Sequence, residues 1–192
     1  MLAPSEVLKA KVCIVGEAGV GKTSLVRRFA YNAYDERYTP TLAAQVTKHE
    51  MPIEIEGTFV RVVLTLWDVM GEQSFLPLLE DVWLSRSQGV LAVADVTRPE
   101  TFPAIRRWLE AVRRISGPVP VLVLANKVDL GPVPEAELHV LEADLGLAGW
   151  ATSAKTGQNV GAAFRSLAEA IVRENLARLV AGPDRSTPTV GA

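Results

Sequence analysis

The chain has 192 residues, of which 48% are hydrophobic and 22% are charged, proportions that suit one folded globular domain. Its formal net charge of −2 argues against a nucleic-acid-binding protein. A single cysteine, Cys13, excludes a disulfide framework, and we expect it to be a buried core thiol. No apolar stretch approaches the roughly 20 residues of a membrane span, and no signal peptide or lipidation motif is evident. We therefore expect a cytoplasmic protein without a direct lipid anchor.

The order of apolar patterns along the chain indicates alternating strands and helices. Three short runs without alternation, at 12–15, 90–94 and 119–124, are typical of strands buried on both faces of a parallel sheet. A further short strand is expected at 149–151. Helical periods lie between and after these runs, marked by Phe102, Ile105, Leu109 and Val112, then Leu138, Leu141 and Leu145, then Phe164, Leu167, Ile171 and Leu179. Strands alternating with helices predict a doubly wound α/β sheet.

Residues 44–67 differ because they show no helical period. A turn at Glu56-Gly57-Thr58 separates two predicted strands, 45–55 and 59–67, and Pro52 fits an edge strand. The sheet should therefore be mostly parallel with one antiparallel edge strand. We assign residues 1–180 to one domain and expect 181–192, rich in proline, glycine, serine and threonine, to be a disordered tail.

Residues 16–23 match the phosphate-loop pattern GxxxxGK(S/T), between a predicted strand and a predicted helix. Glycines allow backbone N–H groups to curl around phosphate oxygens, and the start of the helix adds partial positive charge. Lys22 would supply a full charge to the β- and γ-phosphates, and the hydroxyl of Thr23 suits Mg²⁺. The loop alone does not say which nucleotide binds.

Two tetrapeptides follow predicted strands further along the chain, Asn126-Lys127-Val128-Asp129 and Thr152-Ser153-Ala154-Lys155. Each alone could be an ordinary loop, since asparagine and aspartate favour turns. Together with the phosphate loop, they make residues 8–180 resemble a Ras-superfamily small GTPase, closest to the Rab and Ran-like members. The resemblance implies a P-loop GTPase fold with a six-stranded sheet, bound GTP or GDP, and Mg²⁺.

The resemblance also implies how the base is recognised. Asp129 would accept hydrogen bonds from the guanine N1–H and 2-amino groups, which adenine cannot supply. The N–H of Ala154 would bond O6, the stems of Lys127 and Lys155 would cover the two purine faces, and Asn126 would hold the loops together. The implied nucleotide-binding set is Gly16, Glu17, Ala18, Gly19, Val20, Gly21, Lys22, Thr23, Ser24, Tyr34, Tyr38, Thr41, Gly71, Asn126, Lys127, Asp129, Ser153, Ala154 and Lys155.

Two segments resemble the family's switches. In the first, Thr41 lies nineteen residues after Lys22 and would bind Mg²⁺ and the γ-phosphate, with Thr39 a less favoured candidate. In the second, Asp68 would hold Mg²⁺ through water and the N–H of Gly71 would meet the γ-phosphate. The implied metal set is Thr23, Thr41 and Asp68, and effectors, activating proteins and exchange proteins are expected to bind at the switches. Tyr34 occupies the position of an aromatic against the base, although an ordinary half-buried tyrosine is an equal alternative.

Three residues depart from the family pattern. Glu72 stands where the family has a glutamine that orients water, with Gln73 after it. Its carboxylate could repel the γ-phosphate, act as a base, or swing aside for Gln73. Ala18 adds a methyl group to the phosphate loop, and Met70 replaces a usually small residue. The expected catalytic set is Lys22, Thr41, Gly71, Glu72 and Gln73, and we expect slow intrinsic hydrolysis.

Three functions compete on this evidence. The first is a GTPase switch, and the second is a scaffold that holds GTP or GDP with negligible hydrolysis, which Glu72 and Ala18 favour. The third is a P-loop ATPase or kinase, which the motifs at 126–129 and 152–155 oppose. Arg37 lies in the first switch, but a solvated surface arginine explains it better than a built-in catalytic arginine. The hairpin at 44–67 looks a few residues longer than usual, which would alter the effector edge.

Overall fold

A computed structural model describes residues 7–35, 37, 41, 44–55, 57–71, 81–145 and 148–181. The strands are β1 (Val7–Val15), β2 (Ala44–Ile55), β3 (Thr58–Val69), β4 (Gly89–Asp95), β5 (Val121–Asn126) and β6 (Ala148–Thr152). The helices with defined bounds are α1 (Lys22–Tyr31), α2 (Thr101–Ser116), α3 (Glu135–Leu145) and α4 (Val160–Ala181). No described helix is long and apolar enough to cross a membrane.

The six strands form one sheet in the order β2-β3-β1-β4-β5-β6. All neighbouring strands are parallel except β2 and β3, which form an antiparallel hairpin. The predicted mostly parallel sheet with one antiparallel edge strand is therefore confirmed. Pro52 lies in edge strand β2, where a missing backbone N–H is tolerated, opposite Arg61 of β3.

Helices cover both faces of the sheet, which explains the runs of apolar residues without alternation. Every residue of β4 is buried. One core cluster contains α1 and α4 residues such as Leu25 and Phe164, and the other contains α2 residues such as Phe102 and Trp108. Cys13 is fully buried in the second cluster, as predicted.

The helical periods are confirmed, with one correction to the predicted apolar faces. Leu179 is 72% exposed and does not belong to the core. Among the described residues, Leu176 is the last residue of α4 that packs against the core cluster. Helix α4 continues to Ala181, so Leu179 lies beyond the core. The side chains of Leu141 and Leu145 lie outside the described part of α3.

The parallel strands carry the candidate site to one edge of the sheet. The phosphate loop follows the end of β1, while Asp68, Asp95, Asn126 and Thr152 lie at the ends of β3, β4, β5 and β6. Since parallel strands end at the same edge, residues far apart in sequence meet there. Tyr38, Thr39, Glu72, Gln73 and the tail from 182 onward lie outside the described residues.

Candidate nucleotide-binding site

Lys22 begins helix α1 inside the phosphate loop. Its side-chain Nζ donates hydrogen bonds to the backbone oxygens of Gly16 and Glu17, each at 2.8 Å. The residue is 6% exposed, and this burial lowers the pKa of Lys22 to about 8, against the opposing effects of Asp68 and Glu17. A buried cation beside backbone amides at a helix start suits a phosphate group.

Asn126 joins the phosphate loop to the loops that follow β5 and β6. Its Nδ2 donates to the backbone oxygen of Val20 at 2.9 Å, and its Oδ1 accepts from the Thr152 hydroxyl at 3.4 Å and the Ala154 N–H at 3.2 Å. The close approach requires a glycine at position 21, because a Cβ there would lie 2.4 Å from Asn126 Nδ2. Asn126 is 1% exposed, so these bonds are made in a buried setting where leaving them unmade is costly.

A second connection runs through Asp95, at the end of β4. Its carboxylate accepts from Lys127 Nζ at 2.6 Å and from Arg98 Nε at 3.2 Å. Each of these cations also reaches the phosphate loop: Lys127 donates to the oxygen of Gly19 and Arg98 to that of Ala18, both at 2.8 Å. Burial acts to raise the pKa of Asp95, but hydrogen bonds, led by the one from Lys127, outweigh it and lower the pKa. We name Asp95, Lys127 and Arg98 the acidic brace.

The acidic brace is not predicted by the sequence motifs. The family resemblance gives Lys127 only a role in covering the base, and it gives Asp95 and Arg98 none. One signal was available, since Asp95 ends an apolar run just as Asp68 and Asn126 end theirs. Lys127 also has a φ of 72°, in the left-handed region, and strained backbone of this kind clusters at binding sites.

The base-binding end is organised around Ser153. Its hydroxyl donates to Asp129 Oδ1 at 2.5 Å and accepts from the Thr156 N–H at 3.1 Å. Ser153 is fully buried, whereas Asp129 is exposed, so an anchored carboxylate faces the solvent side of the loops. The Ala154 N–H, which the family resemblance assigns to O6 of guanine, donates a hydrogen bond to Asn126 Oδ1. Tyr34 is 38% exposed, so both interpretations of it stay open.

Three oxygen-bearing side chains meet at the other end of the phosphate loop. The hydroxyl of Thr23 donates to Asp68 Oδ2 at 2.5 Å and lies 3.1 Å from the Thr41 hydroxyl. Asp68 is 1% exposed, its Oδ1 has no hydrogen-bond partner among the described residues, and burial raises the pKa of its carboxyl. A buried unpartnered carboxylate oxygen beside two hydroxyls fits a hard cation such as Mg²⁺. The structure thus brings together the three predicted metal residues.

The backbone of Gly71 lies directly against the phosphate loop. A Cβ at this position would stand 2.5 Å from the N of Ala18, the carbonyl carbon of Glu17 and Nζ of Lys22. Only a residue without a side chain fits this close approach. The preceding Met70 is half-buried and packs against the core cluster of α2.

The remaining predicted site residues are distributed as follows. Val20 is buried in the α4-side core and Ser24 lies half-buried in the first turn of α1. Arg37 has a side chain that is 88% exposed and pairs with Asp35 at 3.2 Å, in keeping with a solvated surface arginine. The described residues of the candidate site therefore include the phosphate loop, the oxygens predicted to hold Mg²⁺ and both base loops.

Comparisons with known proteins agree with this geometry. A model of the Ras family matches residues 11–173. The chain belongs to the Ras family. Its relatives include Ras-related protein Rab-21 of Geodia cydonium, 33% identical over 172 residues that make up 88% of this chain and 73% of the relative. Rab-32A of Dictyostelium discoideum is 31% identical over 183 residues (88% and 80%), and human Rab-7L1 is 32% identical over 173 residues (86% and 83%).

Membership confirms the predicted P-loop GTPase fold and the Rab-like resemblance. The chain is a GTP-binding switch protein of a family of small GTPases, whose members hydrolyse GTP. Members of this family generally bind GTP or GDP with Mg²⁺, and they interact with effectors, activating proteins and exchange factors.

Proposed function

We propose that this chain is a guanine-nucleotide switch that hydrolyses GTP slowly by itself and depends on an activating protein for fast turnover. The observation that carries this proposal is Glu72, which stands where the family has a water-orienting glutamine. We assign guanine as the base because the Asp129 carboxylate is held by a hydrogen bond from buried Ser153, between the two base loops.

Each part of the nucleotide would meet a different part of the site. Buried Lys22 and the loop amides would hold the phosphates, and Asp129 would accept the two guanine donors. Thr23, Thr41 and Asp68 would hold Mg²⁺, which when bound neutralises phosphate charge. The backbone N–H of Gly71 would contact the γ-phosphate, because this residue already lies against the phosphate loop.

The slow rate follows from charge and space near the γ-phosphate. A carboxylate at position 72 repels an anionic phosphate and cannot donate a hydrogen bond to it, whereas a glutamine amide can. The Ala18 methyl group adds bulk in the same loop. Glu72 acting as a base, or Gln73 replacing it, would instead produce fast turnover.

Nucleotide competition tests the assignment of guanine. Protein loaded with a fluorescent GDP analogue in Mg²⁺ should release it to excess GTP or GDP but retain it against the same excess of ATP. Asp129→Ala should reduce the preference for GTP by at least about 100-fold, since it removes the acceptor that adenine cannot use. Equal displacement by GTP and ATP in the wild type would contradict the proposal.

The second candidate function is a scaffold that binds GTP or GDP with negligible hydrolysis. Ala18 and Glu72 favour this function. GTP decay under single-turnover conditions separates the two functions. Slow decay that Glu72→Gln accelerates supports the switch. GTP that stays intact for hours in both proteins supports the scaffold.

A further inference from the structure

Arg28 of helix α1 hydrogen bonds with the loop that would hold guanine. Its Nε donates to the backbone oxygen of Ala154 at 2.8 Å, and its Nη2 donates to that of Lys155 at 2.6 Å. Its Nη1 donates to the backbone oxygen and side-chain Oδ1 of Asn32, at 3.4 and 3.1 Å. One planar guanidinium therefore holds four acceptors, in a fork geometry that arginine alone provides.

These contacts connect two segments that are far apart in sequence. Ala154 and Lys155 follow β6, more than 120 residues after Arg28. Asn32 caps the end of α1 with a φ of 50°, and the chain continues from there toward Tyr34 and the first switch. Arg28 thus joins the exit of α1 to the base loop.

The two carbonyl contacts fix the orientation of two peptide groups. In a planar trans peptide, the N–H points opposite to the C=O. Because the Ala154 oxygen points to Arg28, the Lys155 N–H points away from it. Because the Lys155 oxygen also points to Arg28, the Thr156 N–H is turned to the Ser153 hydroxyl, which it meets at 3.1 Å.

We propose that Arg28 is a positioning residue for guanine recognition. It orients the 154–155 peptide so that the Lys155 N–H is turned away from Arg28 and toward the 6-oxo group of the base, and it thereby slows nucleotide release. Arg28 acts through the loop backbone and not by contact with the base. The inference rests on the proposed function, because it assumes that these loops hold guanine.

The first test measures nucleotide release. Protein loaded with fluorescent GDP and Mg²⁺ is chased with excess unlabelled GDP. Arg28→Ala should dissociate at least about 10-fold faster than the wild type, since it loses two charge-assisted hydrogen bonds to the loop. Arg28→Lys, which keeps the charge but not the fork, should lie between them. Arg113→Ala, an exposed arginine of α2, is the matched control and should stay within about twofold.

The second test separates positioning from a general loss of structure. Competition is measured with GDP, with 6-thio-GDP, which keeps the N1–H and 2-amino groups but replaces the 6-oxo oxygen by a weakly accepting sulfur, and with IDP, which lacks the 2-amino group. Arg28→Ala should lose most of the preference for GDP over 6-thio-GDP, while its preference for GDP over IDP persists. An equal loss of affinity for all three would show a merely structural role and overturn the inference.

Different results would contradict the proposed function and the role of Arg28. A wild-type protein that holds GDP and ADP equally would contradict the proposed function. A guanine-selective wild type whose Arg28→Ala and Arg28→Lys variants keep the same release rate and the same 6-oxo preference would overturn only the role of Arg28. If Arg28→Ala fails to fold, Arg28→Lys carries both tests.

Discussion

The two ends of the candidate nucleotide site are constructed differently. At the base end, side chains connect the loops: Asn126 bonds with the phosphate loop and with the 152–154 segment, and Arg28 and the acidic brace add further connections. At the switch end, the described contacts are made by the binding groups themselves. Thr23 bonds with Asp68 and lies beside Thr41.

This difference indicates a division of roles. The base end is held together by protein–protein hydrogen bonds, which favours tight and selective binding through preorganisation. At the switch end, the contacts lie among the same groups that we assign to Mg²⁺ and the γ-phosphate, so this end should depend more on which nucleotide is bound. Substitutions should therefore separate into those that change nucleotide affinity and those that change the response to the third phosphate.

The largest effect is expected at Asn126, which serves the whole base end. Asn126→Ala removes buried hydrogen bonds to the phosphate loop and to the base loop at 152–155, and should cost about 2–4 kcal/mol of unfolding free energy. GDP affinity should fall by at least about 100-fold. Urea unfolding and GDP titration check these values. Asn175→Ala is the control. Among the described contacts, the Asn175 side chain bonds only with the Ile171 backbone, so this variant should bind GDP normally. Unchanged GDP binding by Asn126→Ala would break the comparison.

At the switch end, Gly71→Ala should discriminate between the two nucleotides. The added Cβ would meet the phosphate loop at 2.5 Å and hold the backbone away from the γ-phosphate. Affinity for a non-hydrolysable GTP analogue should fall about 10–100-fold, the effect of one charge-assisted hydrogen bond, while GDP affinity stays within about twofold. Isothermal titration measures both. Gly131→Ala, where a Cβ meets no atom within 4 Å, is the control. Equal losses for both nucleotides would contradict the division of roles.

Disrupting the acidic brace should have a smaller effect. As at the rest of the base end, it should change nucleotide binding and not hydrolysis. Asp95→Asn leaves Lys127 and Arg98 without their shared anion, and both are partly solvent-exposed, so the stability loss should be only about 1–2 kcal/mol. GDP should dissociate about 10-fold faster, because both contacts to the phosphate loop lose their anchor. Stopped-flow release of fluorescent GDP measures this. The rate of hydrolysis of bound GTP should not change by more than about twofold.

The smallest expected effect is on the pH dependence of stability, through His49 in strand β2 of the hairpin. Burial lowers the pKa of His49, whose ring lies 4.3 Å from that of Phe29. As pH falls below 6.5, the unfolded chain takes up this proton before the folded one does, so stability should fall through this range and be fully present above it. His49→Phe should flatten this part of the curve, measured by urea unfolding at several pH values. The exposed His139→Gln control should leave it unchanged, and a wild-type profile in His49→Phe would disprove the assignment.

Much of the fold could be predicted because the sheet is buried on both faces. The run at 90–94 identified β4, all of whose residues are buried. The start of β1 was missed because residues 7–11 alternate between exposed and buried, and because they include two lysines. One of these, Lys11, places its ammonium group 4.1 Å from the ring of Trp67, so its charge does not disturb the strand.

Within the site, local motifs were predictable and long-range connections were not. The phosphate loop and the loops at 126–129 and 152–155 carry their own spacing and turn residues. The partners of Arg28 and Asp95 depend on which strands are neighbours, and no local pattern encodes that order. In the sequence, Arg28 is one of several polar residues of α1. Its partner Ala154 becomes evident only from the fold, in which the loop after β6 lies beside α1.

The most direct test of the central claim compares wild type and Glu72→Gln. Both are loaded with GTP and Mg²⁺, and bound GTP and GDP are followed by chromatography under single-turnover conditions, with GDP release measured in parallel. The account predicts that Glu72→Gln hydrolyses GTP at least about 10-fold faster, by restoring a hydrogen-bond donor at the γ-phosphate, while both proteins release GDP at the same rate. Equal hydrolysis rates, with wild-type turnover within minutes, would contradict it.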